Sequence, residues 1–152
     1  MHTFILALFA ALRLAEPNAQ PLDTDDEMAD AIGEASQADP IGHDVRMTAI
    51  LLTVTAWQES RLSPYISGDS HASWGAWQVS PVSSGCSERE LMVPATGAVC
   101  ALAMLHQSFE VCSKHPIEER LAQYAYGRDC DHRLELSRHR MAMVRHLSRE
   151  VQ

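Results

Sequence analysis

Apolar residues recur at helical spacing along most of the chain, and one stretch breaks the rhythm. From His43 to Arg61, Met47, Leu51 and Val54 fall at i, i+4 and i+7. Ile50, Val54 and Trp57 repeat that spacing one position round, which predicts a helix apolar over a wide arc and therefore central and mostly buried. Ala98, Leu102, Leu105 and Phe109 predict a second such helix, and Ile117, Leu121 and Tyr124 a third, with Pro116 suited to its first turn. A last helix is expected from Asp131 to Glu150, with Leu136, Arg140, Met143 and Leu147 on one stripe and Met141 and Val144 beside it. Asp23 to Gln37 reads as a helix whose first turn carries acids, where the helix dipole favours them, and Asp39-Pro40-Ile41-Gly42 as a turn.

Residues 62–87 differ. Ser63-Pro64, Ser67-Gly68-Asp69-Ser70, Ser80-Pro81 and Ser83-Ser84-Gly85 punctuate them, with aromatic residues between. This predicts a long loop, or short strands joined by turns, and long ordered loops in small domains tend to carry function. The expected fold is mainly α, with five or six helices around one loop or short-strand segment.

At 152 residues the chain is the size of one domain. Its beginning, MHTFILALFAALRLAEPNAQP, has a short apolar core and small residues at Ala15 and Ala19, as a secretory leader does. However, no Lys or Arg precedes the core and Arg13 interrupts its end, so a first amphipathic helix fits equally. The division is thus 1–22, a leader or N-terminal helix, and 23–152, the main domain. The apolar run Thr3 to Leu12 is about half of what a membrane-spanning helix needs, so no stable membrane span is expected.

The net charge of −8 is unevenly spread. Residues 16–44 hold nine acids and no Lys or Arg, while residues 45–152 hold eleven of each sign. An acidic balance argues against nucleic acid as a partner. The Arg-rich tail (Arg128, Arg133, Arg138, Arg140, Arg145, Arg149) reads as a solvated helix face. Cys86, Cys100, Cys112 and Cys130 suggest two disulfides in an oxidising compartment, with three pairings open. Zinc competes for them, with His115 and His132 nearby, but no two cysteines have the short spacing of structural zinc sites, and buried free thiols stand second to disulfides.

Glu59 is the first candidate for chemistry. It lies beside Trp57 at the end of the apolar helix, before Leu62-Ser63-Pro64 stops it, where desolvation would suit a carboxyl to general acid work. The plainer alternative pairs it with Arg61 or leaves it solvating the helix end. Ser73-Trp74-Gly75-Ala76-Trp77-Gln78-Val79-Ser80-Pro81 is the second candidate: two aromatic platforms suited to sugar rings, and an amide that both donates and accepts. Alternatively, Trp74 and Trp77 anchor the loop in the core and Gln78 satisfies its own backbone.

Glu59-Ser60, followed by Gly75-Ala76-Trp77-Gln78-Val79-Ser80-Pro81, resembles the E-S … G-L-M-Q-x-x-P pattern of the soluble lytic transglycosylases, which share the lysozyme-like fold with goose-type lysozymes. Leu121-Ala122-Gln123-Tyr124-Ala125-Tyr126-Gly127 is similar to the family's L-A-A-Y-N-A-G. Two departures stand out: Ala76-Trp77 replaces Leu-Met, and Ala125 replaces the Asn, with the loss of its hydrogen bond. The resemblance implies a lysozyme-like fold and cleavage of the β-1,4 bond between N-acetylmuramic acid and N-acetylglucosamine in peptidoglycan. Glu59 would be the catalytic acid and base, and Ser73, Gln78 and Tyr124 the substrate contacts, with Trp74 and Trp77 as stacking walls. It implies a 1,6-anhydro product, no metal and no organic cofactor, and a monomer acting on glycan strands. The alternatives are a hydrolase in which Asp69 positions a water, a non-catalytic peptidoglycan-binding or phage structural module, and a helical, disulfide-stapled interaction domain unrelated to cell walls. The location implied is the cell envelope, periplasm or exterior if the leader is cleaved; otherwise the protein is phage-associated or delivered to the wall.

Overall fold

In the computed structural model, every residue is described except Pro17, Asp69, Arg128 and Gln152, together with the side chain of Tyr126. Asp69, on which the hydrolase alternative rests, therefore lies outside the described residues. The chain is mainly α. Eight α-helices form among the described residues: α1 (His2–Leu14), α2 (Asp25–Ala38), α3 (Val45–Ser60), α4 (Pro81–Ser84), α5 (Glu88–Met92), α6 (Pro94–Val111), α7 (Ala122–Tyr126) and α8 (Leu134–Glu150). Two 3-10 turns, Ile41–His43 and Ile117–Glu119, and two short strands, β1 (Ser67–Gly68) and β2 (Ser73–Trp74), complete the described elements.

The expected five or six helices become eight because α4, α5 and α7 have four or five residues each, too few for a period to register. For the same reason the run from Ile117 to Tyr124, expected as one helix, is a 3-10 turn followed by α7.

Helix α3 is the axis of the molecule. Asp44 caps its start by accepting from the Met47 amide at 2.8 Å, and every residue from Thr48 to Trp57 is buried. It packs against α1, α2, α6 and α8. At its far end Arg61 and Leu62 take left-handed φ of 56° and 68°. Their amides donate back to Trp57 and Ala56 carbonyls at 3.0 and 3.3 Å, closing the helix in a left-handed cap without glycine. Leu62 is buried, which repays the unfavourable backbone with apolar burial. Glu59 is thereby fixed in the last helical turn.

Residues 2–14 are a packed helix in this structure. Ile5, Leu8, Phe9 and Leu12 of α1 are buried in the core, and Arg13 makes a two-pronged ion pair with Asp25 of α2 at 2.6 and 2.7 Å. A cut at Ala15 or Ala19 would take all four apolar residues out of the core. The acidic stretch is also partly spoken for: Glu16 meets Arg61, and Asp26 and Asp30 meet His2. Among the described residues no helix is long and apolar enough to cross a membrane.

The cysteines pair as Cys86–Cys100 and Cys112–Cys130, which leaves no thiolate for zinc. The first bond ties the link between α4 and α5 to α6. The second ties the end of α6 to the chain beyond α7.

Candidate active site

The strands β1 and β2 pair antiparallel, Ser67 opposite Trp74 and Gly68 opposite Ser73. Trp74 then pairs with Val79 through two backbone hydrogen bonds of 3.0 and 3.2 Å, so the chain folds back on itself twice within fourteen residues. The second turn depends on Gly75. Its φ is 76°, and a Cβ there would overlap the backbone carbonyl of Leu91 at the end of α5. Gln78 also sits in the left-handed region, at φ 48°, a strained position for a residue with a side chain.

That turn aims Gln78 into a groove of about 480 Å3, within the range of sites that hold small ligands. Glu59, Ser73, Gln78 and Tyr124 all line it, with Ala125 and with Met104 of α6. Four expected site residues from three distant segments therefore meet in one place. Glu59 is the only acid among the described residues of the lining.

The local geometry of each can be traced. Gln78 Nε2 donates to the Gly75 carbonyl at 2.8 Å, and its Oε1 accepts from the Ser73 hydroxyl at 3.0 Å. The amide thus holds its own loop while forming part of the groove wall. Tyr124 is set by two buried serines. Ser108 on α6 accepts from the Tyr124 amide at 3.0 Å and donates to the Arg120 carbonyl at 2.7 Å. Ser137 on α8 accepts from the Leu121 amide at 3.0 Å and donates to the Glu118 carbonyl at 2.8 Å. The Tyr124 hydroxyl then crosses to donate to the Trp77 carbonyl at 2.8 Å. Burial, and secondarily the nearby Glu59 carboxylate, push its phenol well above the ordinary range against the opposing pull of Arg140. The hydroxyl consequently remains a donor.

The two tryptophans separate. Trp77, expected as a stacking wall, is 1% exposed and cannot meet a sugar. Its indole N–H donates to the Leu52 carbonyl of α3 at 3.0 Å, and the apolar ring fills the core. Trp74 is partly exposed beside the groove but does not line it; its ring stacks on His71 at 5.5 Å between centroids, and its N–H donates to the His71 carbonyl.

Glu59 does not pair with Arg61, whose guanidinium turns away to the Trp57 carbonyl and Glu16. Its partner is Arg140 of α8, from Nη2 to Glu59 Oε1. Arg140 is 5% exposed, so the solvated-face reading of the tail fails at this residue. Arg140 Nε also donates to Gln58 Oε1 at 2.8 Å, and the guanidinium lies over the Tyr124 ring, 5.5 Å from its centroid. Sequence reasoning missed Arg140 as a site residue. The signal was its place in an apolar stripe with Leu136, Met143 and Leu147, where a surface arginine does not belong.

The chain matches no family model, no curated protein and no solved structure.

Proposed function

We propose that this protein is a lysozyme-like glycosidase that cleaves peptidoglycan glycan strands as a lytic transglycosylase. The observation that carries this reading is the meeting of Glu59, Gln78 and Tyr124 in one groove, the three residues at the centres of the resembling motifs. An unrelated helical interaction domain would have no reason to gather them.

In this mechanism the Glu59 carboxyl gives a proton to the glycosidic oxygen linking N-acetylmuramic acid to N-acetylglucosamine, and the C1–O bond breaks. The carbonyl oxygen of the muramic acetamido group bonds to C1 and carries the positive charge. The C6 hydroxyl of the same sugar then attacks C1 and displaces the acetamido oxygen. Its proton returns to the Glu59 carboxylate, and a 1,6-anhydro ring closes. One carboxyl suffices, unlike the usual two-carboxylate glycosidase, and Glu59 is the one acid among the described lining residues. Ser73 and Gln78 supply hydroxyl and amide groups to the substrate's polar edges. The two disulfides fit an oxidising location such as the cell envelope or the exterior.

The test is digestion of purified peptidoglycan by the wild type and by Glu59→Gln, with products read by mass spectrometry. Anhydromuropeptides from the wild type alone are expected. Reducing ends from the wild type would instead indicate a hydrolase. A folded wild type that binds the wall but yields no product would reduce the protein to a binding module.

A further inference from the structure

We infer that Arg140 is a positioning residue for the reaction: by holding Glu59 Oε1, it makes Oε2 the oxygen that carries the proton out to the substrate and takes it back. The inference rests on the transglycosylase reading and goes further, since neither the resembling motifs nor the groove lining includes Arg140.

The argument begins with what a guanidinium can do. It is a donor only, with no lone pair to accept a hydrogen bond. A carboxyl oxygen that accepts from Arg140 Nη2 can do so in the anion, or as the carbonyl oxygen of the neutral acid. It cannot do so while its own O–H points at the guanidinium. Because the carbonyl oxygen of a neutral acid is the stronger acceptor, the contact favours the proton on Oε2, which has no hydrogen-bond partner among the described residues and belongs to a side chain on the groove wall. The contact can persist through both half-reactions, so the carboxyl need not rotate between giving and receiving the proton.

Arg140 is itself held from several sides. Gln58 Oε1 accepts from Nε, and Gln58 Nε2 donates on to the Met143 sulfur at 2.9 Å. The Tyr124 ring supports the guanidinium plane. Its side chain is 6% exposed, against 23% for Glu59, so the cation is fixed and shielded while the acid still reaches the groove. As the proton leaves, negative charge forms on a carboxylate already facing a desolvated cation, so little reorganisation is needed at that moment. A buried ion pair is poor evidence of a stabilising role, because desolvation offsets much of the attraction.

The experiment compares wild type, Arg140→Met and Arg140→Lys on soluble glycan strands, with kcat and KM determined separately and folding checked by circular dichroism. Arg140→Met should lower kcat by at least about thirtyfold with KM within about twofold, since substrate contacts are untouched. Arg140→Lys keeps a cationic donor without the planar fork and should fall between the two. Wild-type kcat in Arg140→Met, a loss confined to KM, or equal losses in both variants would overturn the inference. Should Arg140→Met fail to fold, Arg140→Lys decides: reduced kcat at unchanged KM supports the inference, and unchanged kcat removes it. A wild type that releases no product at all removes the transglycosylase reading and this inference together, whereas an active wild type with a fully active Arg140→Met removes the inference alone.

Discussion

The two sides of the groove are built on opposite principles. On the helical side, Glu59 stands at the end of a buried helix and is held by Arg140, 81 positions away in sequence. On the loop side, Gln78 is held by Ser73 and Gly75, five and three positions away, inside two tight turns. Long-range packing fixes the acid, and short-range hydrogen bonding fixes the amide. The loop side has the smaller margin, because it stores left-handed backbone at Gln78 and depends on a glycine pressed against Leu91.

Breaking that contact should have the largest effect. Gly75→Val adds a β-branched side chain at φ 76°, directly against a backbone carbonyl that cannot swing aside. Strain and overpacking together should cost about 3–5 kcal/mol, read as a lower urea midpoint, with activity lost even in the folded fraction. A Gly75→Val protein of wild-type stability would mean that the loop is far softer than these contacts indicate. The disulfides come next. Removing Cys112–Cys130 as a double serine variant releases a separation of 18 residues and should cost about 3 kcal/mol by loop-closure entropy. Because this bond closes the segment holding Tyr124, it should reduce activity more than removal of Cys86–Cys100 does, although the loops are of similar length.

The same division explains what could be read from the sequence. Helix α3 and Glu59 at its end were legible because burial on nearly every side leaves an apolar pattern too wide for a surface helix. Gln78 and Tyr124 were legible because short segments with characteristic neighbours place them. Arg140 was overlooked because its one local signal, a place in the apolar stripe, names no partner for it. Arg138 and Arg145 pair on the surface with Glu119 and Glu118, while Arg140 alone follows the apolar stripe inward. For Trp77 the sequence left a stacking wall and a core anchor both open, and the structure takes the second, for a related reason. Its burial is decided by the Leu52 carbonyl 25 positions earlier, and a loop full of Gly and Ser gives no sign of that partner.

The tryptophans give a sharper version of the contrast. Trp77→Phe loses the bond to Leu52 and some core volume, and should cost about 1.5–2 kcal/mol in urea denaturation. Trp74→Phe, at a partly exposed position, should stay within about 0.5 kcal/mol of wild type. Equal costs at both positions would contradict the assignment of one ring to the core and the other to the rim.

Tyr124→Phe should have a small effect at neutral pH, yet it tests a hydrogen bond that joins the two sides. It removes the hydroxyl donated to the Trp77 carbonyl and keeps the ring beneath Arg140. The expected cost is about 1 kcal/mol. That cost should depend on pH in a definite sense. The folded phenol holds its proton well above the ordinary value of 10.0, because burial and Glu59 oppose its ionisation. In the unfolded chain it ionises near that ordinary value. Above about pH 10 the folded state therefore binds more protons than the unfolded state, and stability falls as pH rises. The full contribution is present below that pH and is lost progressively above it. Phenylalanine carries no such titration, so the advantage of wild type over Tyr124→Phe should hold from pH 7 to about 9 and shrink by about pH 11. Urea midpoints of the two proteins across that range measure the difference directly. A constant gap would mean that the phenol reaches solvent and that the hydrogen bond between the two sides of the groove is not kept in solution.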